Sequence, residues 1–218
     1  MPNPARHLPV FLISVLYGCV ALPNPERGTA QRVIASDAPS AAFLSRLRSL
    51  CGKAFAGRIV ADTPVTADSP FSGKPLVMHV RDCREDAVRI PFHVGDDHSR
   101  TWVITLDSDR HLLRLKHDHR HADGSEDATT QYGGDSRALT EKTPDRWRFE
   151  FPADTYTKTL FHERNLTASL HNVWAIELDA DRFVYELARP NRLFRVEFDL
   201  TQPQPLPPEP WGAGASGL

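Results

Sequence analysis

The chain of 218 residues lacks most of the features that would name a reaction. It has no surplus of one charge: 26 Lys and Arg stand against 28 Asp and Glu, a formal net charge of −2. Without a concentrated basic surface there is no electrostatic case for nucleic acid as a partner. No apolar run reaches the roughly 20 residues of a membrane-spanning helix. No phosphate-binding loop and no Gly-x-Gly-x-x-Gly occurs, and Ser99, Ser125 and Ser136 lack the Gly-x-Ser-x-Gly context of a nucleophile elbow. No catalytic residue can therefore be assigned, and binding is favoured over catalysis. Cysteine is scarce as well, at three residues: Cys19, Cys51 and Cys83.

The amino terminus is informative. Residues 1–19 read MPNPARHLPVFLISVLYGC, with Arg6 as the positive flank and an apolar run from Leu8 to Tyr17. That run suits the core of a signal peptide and is too short to cross a bilayer. Leu16-Tyr17-Gly18-Cys19 resembles the bacterial lipobox: a branched apolar residue, a small residue before the cut, and the thiol that accepts the lipid. The resemblance implies a signal peptide over 1–18, lipidation of Cys19, and a tether over 19–38 facing the periplasm at the bacterial cell envelope. Membrane contact is then through the lipid anchor only. The alternative is an ordinary secretory signal cut later, which leaves a soluble periplasmic or secreted protein.

Export bears on the other two thiols. Cys51 and Cys83 make one disulfide in an oxidising compartment, closing a loop of about 33 residues and constraining the unfolded chain by about 3.5–4 kcal/mol. The alternative is two separate buried thiols.

The domain is expected over residues 39–200. Phe43, Leu44, Leu47 and Leu50 recur at helical spacing behind Asp37 or Ser40 as cap, with Gly52 as a stop. Beyond Gly52 the pattern is mostly of period two. Ile90, Phe92 and Val94 alternate with polar neighbours, as do Trp102, Ile104 and Leu106, then Trp147, Phe149 and Phe151, then Phe194, Val196, Phe198 and Leu200. This is the pattern of antiparallel strands with one face on a core. Asp107–Arg110, Asp123-Gly124, Asp179–Asp181 and Pro190-Asn191 read as hairpin turns, and Gly133-Gly134 as a strand-ending turn. Asp154 caps a short helix, TYTKTLFHE, between strands. The predicted fold is mainly β, a meander of about eight to ten strands closed into a barrel or half-barrel, with an N-terminal helix and one short inserted helix. Residues 201–218, rich in Pro and then Gly, are expected to be a disordered tail.

The helix FLSRLRSLCGKAFAGRIV leading into an antiparallel meander resembles the lipocalin-type (calycin) arrangement, although the lipocalin Gly-x-Trp signature is absent and Cys51–Phe55 stands nearest its place. The segments IPFHVGDD, TWVIT, LRLKHDHRHADGSED and YGG, between Arg89 and Gly134, also resemble an uncharacterised family of proteobacterial exported proteins, a likeness that implies no activity.

Chemistry concentrates in LRLKHDHRH. As a strand it places Leu113, Leu115, His117, His119 and His121 on one face, with imidazoles spaced to converge on one ion. His117 and His119, with His121, Glu126 or Asp127 as a third ligand, would suit zinc or another transition metal. The competing reading is a hydrogen-bonded polar layer with Tyr132. Trp102, Tyr132, Trp174 and Tyr185 are candidate walls of a cavity for a small-molecule ligand. Three functions are compatible with these residues. The first is a binding module for a small apolar or amphipathic ligand, with the histidine strand orienting its polar end. The second is a metal-binding protein or metal-dependent enzyme, and the third a structural or partner-binding envelope protein with a filled barrel.

Overall fold

The computed structural model describes residue 1 and residues 38–65, 69–137, 141–143 and 146–214. Residues 2–37, with Cys19 and nearly all of the expected signal segment and tether, lie outside the described residues.

The chain is mainly β. Among the described residues helix α1 (Pro39–Arg48) leads into twelve strands: β1 (Lys53–Thr63), β2 (Leu76–Val80), β3 (Asp82–Cys83), β4 (Ala87–Val94), β5 (Asp97–Asp107), β6 (Leu112–His119), β7 (Tyr132–Asp135), β8 (Glu141–Thr143), β9 (Arg146–Pro152), β10 (Val173–Leu178), β11 (Arg182–Arg189) and β12 (Arg192–Gln204). A second helix, α2 (Thr155–Glu163), and a 3-10 turn (Thr167–His171) separate β9 from β10. The strands form one antiparallel sheet in the order β7-β6-β5-β4-β2-β1-β12-β11-β10-β9-β8, with β3 on β4. Neighbours in space are mostly neighbours in sequence, as a meander requires.

The sheet curls until its two ends meet, and the result is a nearly closed barrel. Arg137 N donates to Glu150 O at 2.9 Å and Asp154 N to Gly133 O at 3.0 Å, so the β7 end of the sheet lies beside β9. Gly133 and Gly134 make that meeting sterically feasible. A Cβ on Gly133 would stand 1.9 Å from Leu115 O, and one on Gly134 would stand 1.9 Å from Pro152 O. These two residues form no strand-ending turn: they lie within β7, pressed between backbones on both sides. Thr157 of α2 fastens the seam, its Oγ1 accepting from Gly133 N at 2.7 Å and donating to Gly133 O at 2.8 Å.

The period-two rows point inward as expected. Ile90, Phe92, Val94, Trp102, Ile104, Phe149, Phe151, Phe194, Val196 and Phe198 are all buried. At one end α1 fills the barrel with Phe43, Leu44 and Leu47, none more than 1% exposed, and Phe43 meets Phe149 edge-on at 5.1 Å. The α1 cap differs from expectation. Ala38 holds the cap position with Pro39 at the first turn, and Ser40 Oγ donates to His111 O instead, tying α1 to the β5–β6 turn. Asp37 is outside the described residues. For α2 the expected cap is observed, with Asp154 accepting from Thr157 N at 2.8 Å.

Cys51 and Cys83 are bonded to each other, which joins the chain after α1 to β3. The expected disordered tail is ordered in its first part. β12 continues to Gln204, Pro210 is buried, and Trp211 N donates to His98 O at 3.1 Å on the outside of the barrel. Residues 215–218 lie outside the described residues.

Candidate ligand cavity at the barrel mouth

Opposite α1 the barrel opens into a pocket above its packed rings. A cavity of about 240 Å³ remains there, bounded by β4, β5, β6, β7, β10, β11 and β12 and partly roofed by Phe71, by Phe161 of α2, and by Leu166, Ser169 and Asn172 around the 3-10 turn. Trp102, Tyr132, Trp174 and Tyr185 all line it, together with His117 and His119. Cross-strand register explains the grouping: His117 stands opposite Trp102 on β5 and Tyr132 on β7, while Trp174 pairs with Leu187 and Tyr185 with Ile176.

The floor of the cavity is a closed polar network set in aromatic walls. His117 Nδ1 lies 3.1 Å from Tyr132 O and can only donate to it, so Nε2 is the bare nitrogen that accepts from the Tyr185 hydroxyl at 2.8 Å. Burial is the main reason that the His117 pKa falls to about 3, with His119 and Lys116 adding to the fall. The imidazole is neutral at ordinary pH. Burial likewise raises the Tyr185 hydroxyl well above its usual value, with hydrogen bonds to Trp102 and Trp174 acting the other way. The Tyr185 ring stacks on Trp102 at 4.4 Å and the Tyr132 ring on His117 at 4.5 Å. One layer higher, His119 Nε2 and Tyr132 Oη are hydrogen-bonded at 3.0 Å. Burial, then the nearby Arg100, lowers His119 to about 4.

The five residues expected as metal ligands are not assembled into a site. His117 has both ring nitrogens engaged within the protein. His121 is exposed and faces Asp127 at 3.8 Å, while Glu126 pairs with Arg120 at 3.1 Å across the bridge that closes the Asp123-Gly124 turn. Among the described residues no group of three or more His, Cys, Asp or Glu side chains could hold a metal ion. The polar-layer arrangement with Tyr132 is the one present.

The rim holds residues that the sequence reading missed. The inward row of β5 runs Ile104, Trp102, Arg100; that of β11 runs Phe183, Tyr185, Leu187, Arg189; that of β12 runs Phe198, Val196, Phe194, Arg192. Each row ends at the mouth in an arginine, and all three arginines line the cavity. Arg100 pairs with Asp97 and lies over the Phe71 ring at 5.6 Å. Arg192 pairs with Asp62 and lies over Phe194 at 5.7 Å. Arg189 donates to Ser169 Oγ and Asn172 Oδ1, each at 3.2 Å, and no carboxylate pairs with it among the described residues. Strict alternation, carried one step past the last apolar residue of each strand, is the signal that finds them.

Comparison with known families, with curated proteins and with solved structures finds no match to this chain.

Proposed function

We propose that this protein is a binding module for a small apolar or amphipathic molecule, with a lipocalin-like barrel held at the bacterial cell envelope through a lipid on Cys19. The observation that carries the reading is the asymmetry of the two ends: one is closed by α1, and the other opens into a pocket of about 240 Å³ above the buried rings of Trp102, Trp174, Tyr185, Phe92 and Phe194. A concave, mostly aromatic site with a few fixed polar groups is the usual form of a small-ligand site, and barrels of this size have room for one such ligand. The anchor rests on Leu16–Cys19 alone and is a separate part of the proposal.

Native mass spectrometry of protein taken from its own envelope tests both parts. The expected spectrum shows the chain from Cys19 carrying acyl mass, and a non-covalent small molecule released on activation. A chain without acyl mass removes the anchor. A ligand-free chain that also takes up no added 1-octanol removes the binding reading, and a stoichiometric metal ion would transfer the function to His117 and His119.

A further inference from the structure

The floor and the rim of the cavity offer opposite chemistry, and this fixes which way round a ligand sits. At the floor every polar atom of the His117–Tyr185 pair is used within the protein: Nδ1 on Tyr132 O, Nε2 on the Tyr185 hydroxyl, and the Tyr185 oxygen also within reach of Trp102 and Trp174. A polar ligand group placed there would lose its water and gain no partner, at a cost typical of an unsatisfied buried group. The apolar area left open to the cavity belongs to Phe71, Tyr132 and Leu187, which are half-buried above the fully packed rings of Trp102, Tyr185 and Trp174.

At the rim three guanidiniums converge on the opening, and only two carboxylates, Asp97 and Asp62, pair with them among the described residues. Arg189 is held by two neutral acceptors, Ser169 Oγ and Asn172 Oδ1. Those bonds orient the guanidinium without neutralising it. Guanidinium groups recognise carboxylates, sulfonates and phosphates through paired N–H donors, and charge-assisted bonds are the strong ones.

We infer that the ligand is a small anionic amphiphile, bound with its apolar body against Phe71, Tyr132 and Leu187 above the packed aromatic floor and its anionic head at the mouth on Arg189. The inference rests on the binding reading above and adds the charge and orientation of the ligand. It also reverses the orientation expected from the sequence, in which the histidines held the polar end. The volume of about 240 Å³ restricts the body to a medium alkyl chain or one or two rings.

The test is a titration of the folded protein with three probes of one chain length and different heads: octanoate, 1-octanol and octylammonium, followed by calorimetry at low salt. The inference predicts octanoate tightest by roughly tenfold or more over 1-octanol, as a charge-assisted pair should give, and octylammonium weakest. Added salt should shrink the octanoate preference. In Arg189→Gln the octanoate-to-octanol affinity ratio should fall toward one, and Arg189→Lys should restore part of it. Equal affinities for all three probes, or octylammonium the tightest, overturn the inference while leaving a binding cavity in place. Binding of none of the three overturns both readings. The three-probe ranking is measured first on the unaltered protein, so it decides the matter even where a variant fails to fold.

Discussion

The two ends of the barrel are made from the same strands and behave differently. At the α1 end the inward rows finish in apolar side chains, and Phe43, Leu44 and Leu47 close the space, with Phe43 against Phe149. At the mouth the same rows finish in His119, Arg100, Arg189 and Arg192, and the space stays open. On the proposed function, stability and recognition are divided between the ends. Burial of large apolar side chains contributes stability in proportion to the area removed from water, so the packed end should carry it. An end that keeps a void gives up contacts it could have made.

Substitutions can dissect that division, and the largest effect should come from the seam that both ends share. Gly134→Ala puts a methyl into Pro152 O, backbone against backbone with nothing flexible to yield. It should abolish the cooperative urea transition, and a normal transition would show that the barrel is not closed there. Phe43→Ala should cost about 3–5 kcal/mol, the usual cost of emptying a packed aromatic site, measured by urea denaturation at neutral pH. Reduction of Cys51–Cys83, or Cys51→Ser/Cys83→Ser together, should cost about 2–4 kcal/mol. At the mouth, Leu166→Ser replaces a residue 39% exposed and should change stability by no more than about 0.5 kcal/mol.

Acid should act through buried histidines, two of which stand in the mouth. His117 and His119 have pKa values near 3 and 4, against an ordinary 6.5. Between those values and 6.5 the unfolded chain binds more protons than the folded one, so stability is complete above 6.5 and declines as pH falls toward 3–4. On the outer face His93, lowered to about 4 mainly by burial, adds to the same decline, whereas Glu177 behaves otherwise. Burial would raise the Glu177 carboxyl, but hydrogen bonds from Arg195, Arg146 and Arg148 outweigh it and bring the pKa to about 2. Its contribution is complete above its ordinary value of 4.5 and fades only below that, as pH falls toward 2. Urea midpoints measured from pH 7 to 4 should therefore fall, and His117→Phe should flatten that slope while Glu177→Gln leaves it unchanged. A slope unaltered by His117→Phe would mean that His117 is not held neutral by burial.

Much of this was legible in the sequence, because alternation is a local property. The rows Ile90–Val94, Trp102–Leu106, Trp147–Phe151 and Phe194–Leu200 announced both the strands and the face that meets the core. Asp154 before TYTKTLFHE announced α2 through a short-range cap. What the sequence hid depends on distant partners. Gly133-Gly134 looks like any turn until β6 and β9 are brought to either side of it. The order of residues 205–214 depends on single contacts, such as Trp211 N with His98 O, that no composition encodes. The cavity residues were legible as a group, since His117, Tyr132, Trp102, Trp174 and Tyr185 share the inward parity of their strands. The arginine rim obeys the same parity and was hidden only by its charge, which marks a residue as outward-facing wherever a row is followed by its apolar members alone.

Mapping where a small apolar molecule binds probes the division between the two ends most directly. In a ¹H–¹⁵N NMR titration with 1-octanol, a cavity at the mouth predicts saturable shifts at the Trp102 and Trp174 indoles and at the amides of His119, Leu187 and Arg189. Signals around Phe43, Leu113 and Phe149 should stay in place. Shifts that never saturate, or saturable shifts centred on the α1 end, would contradict it.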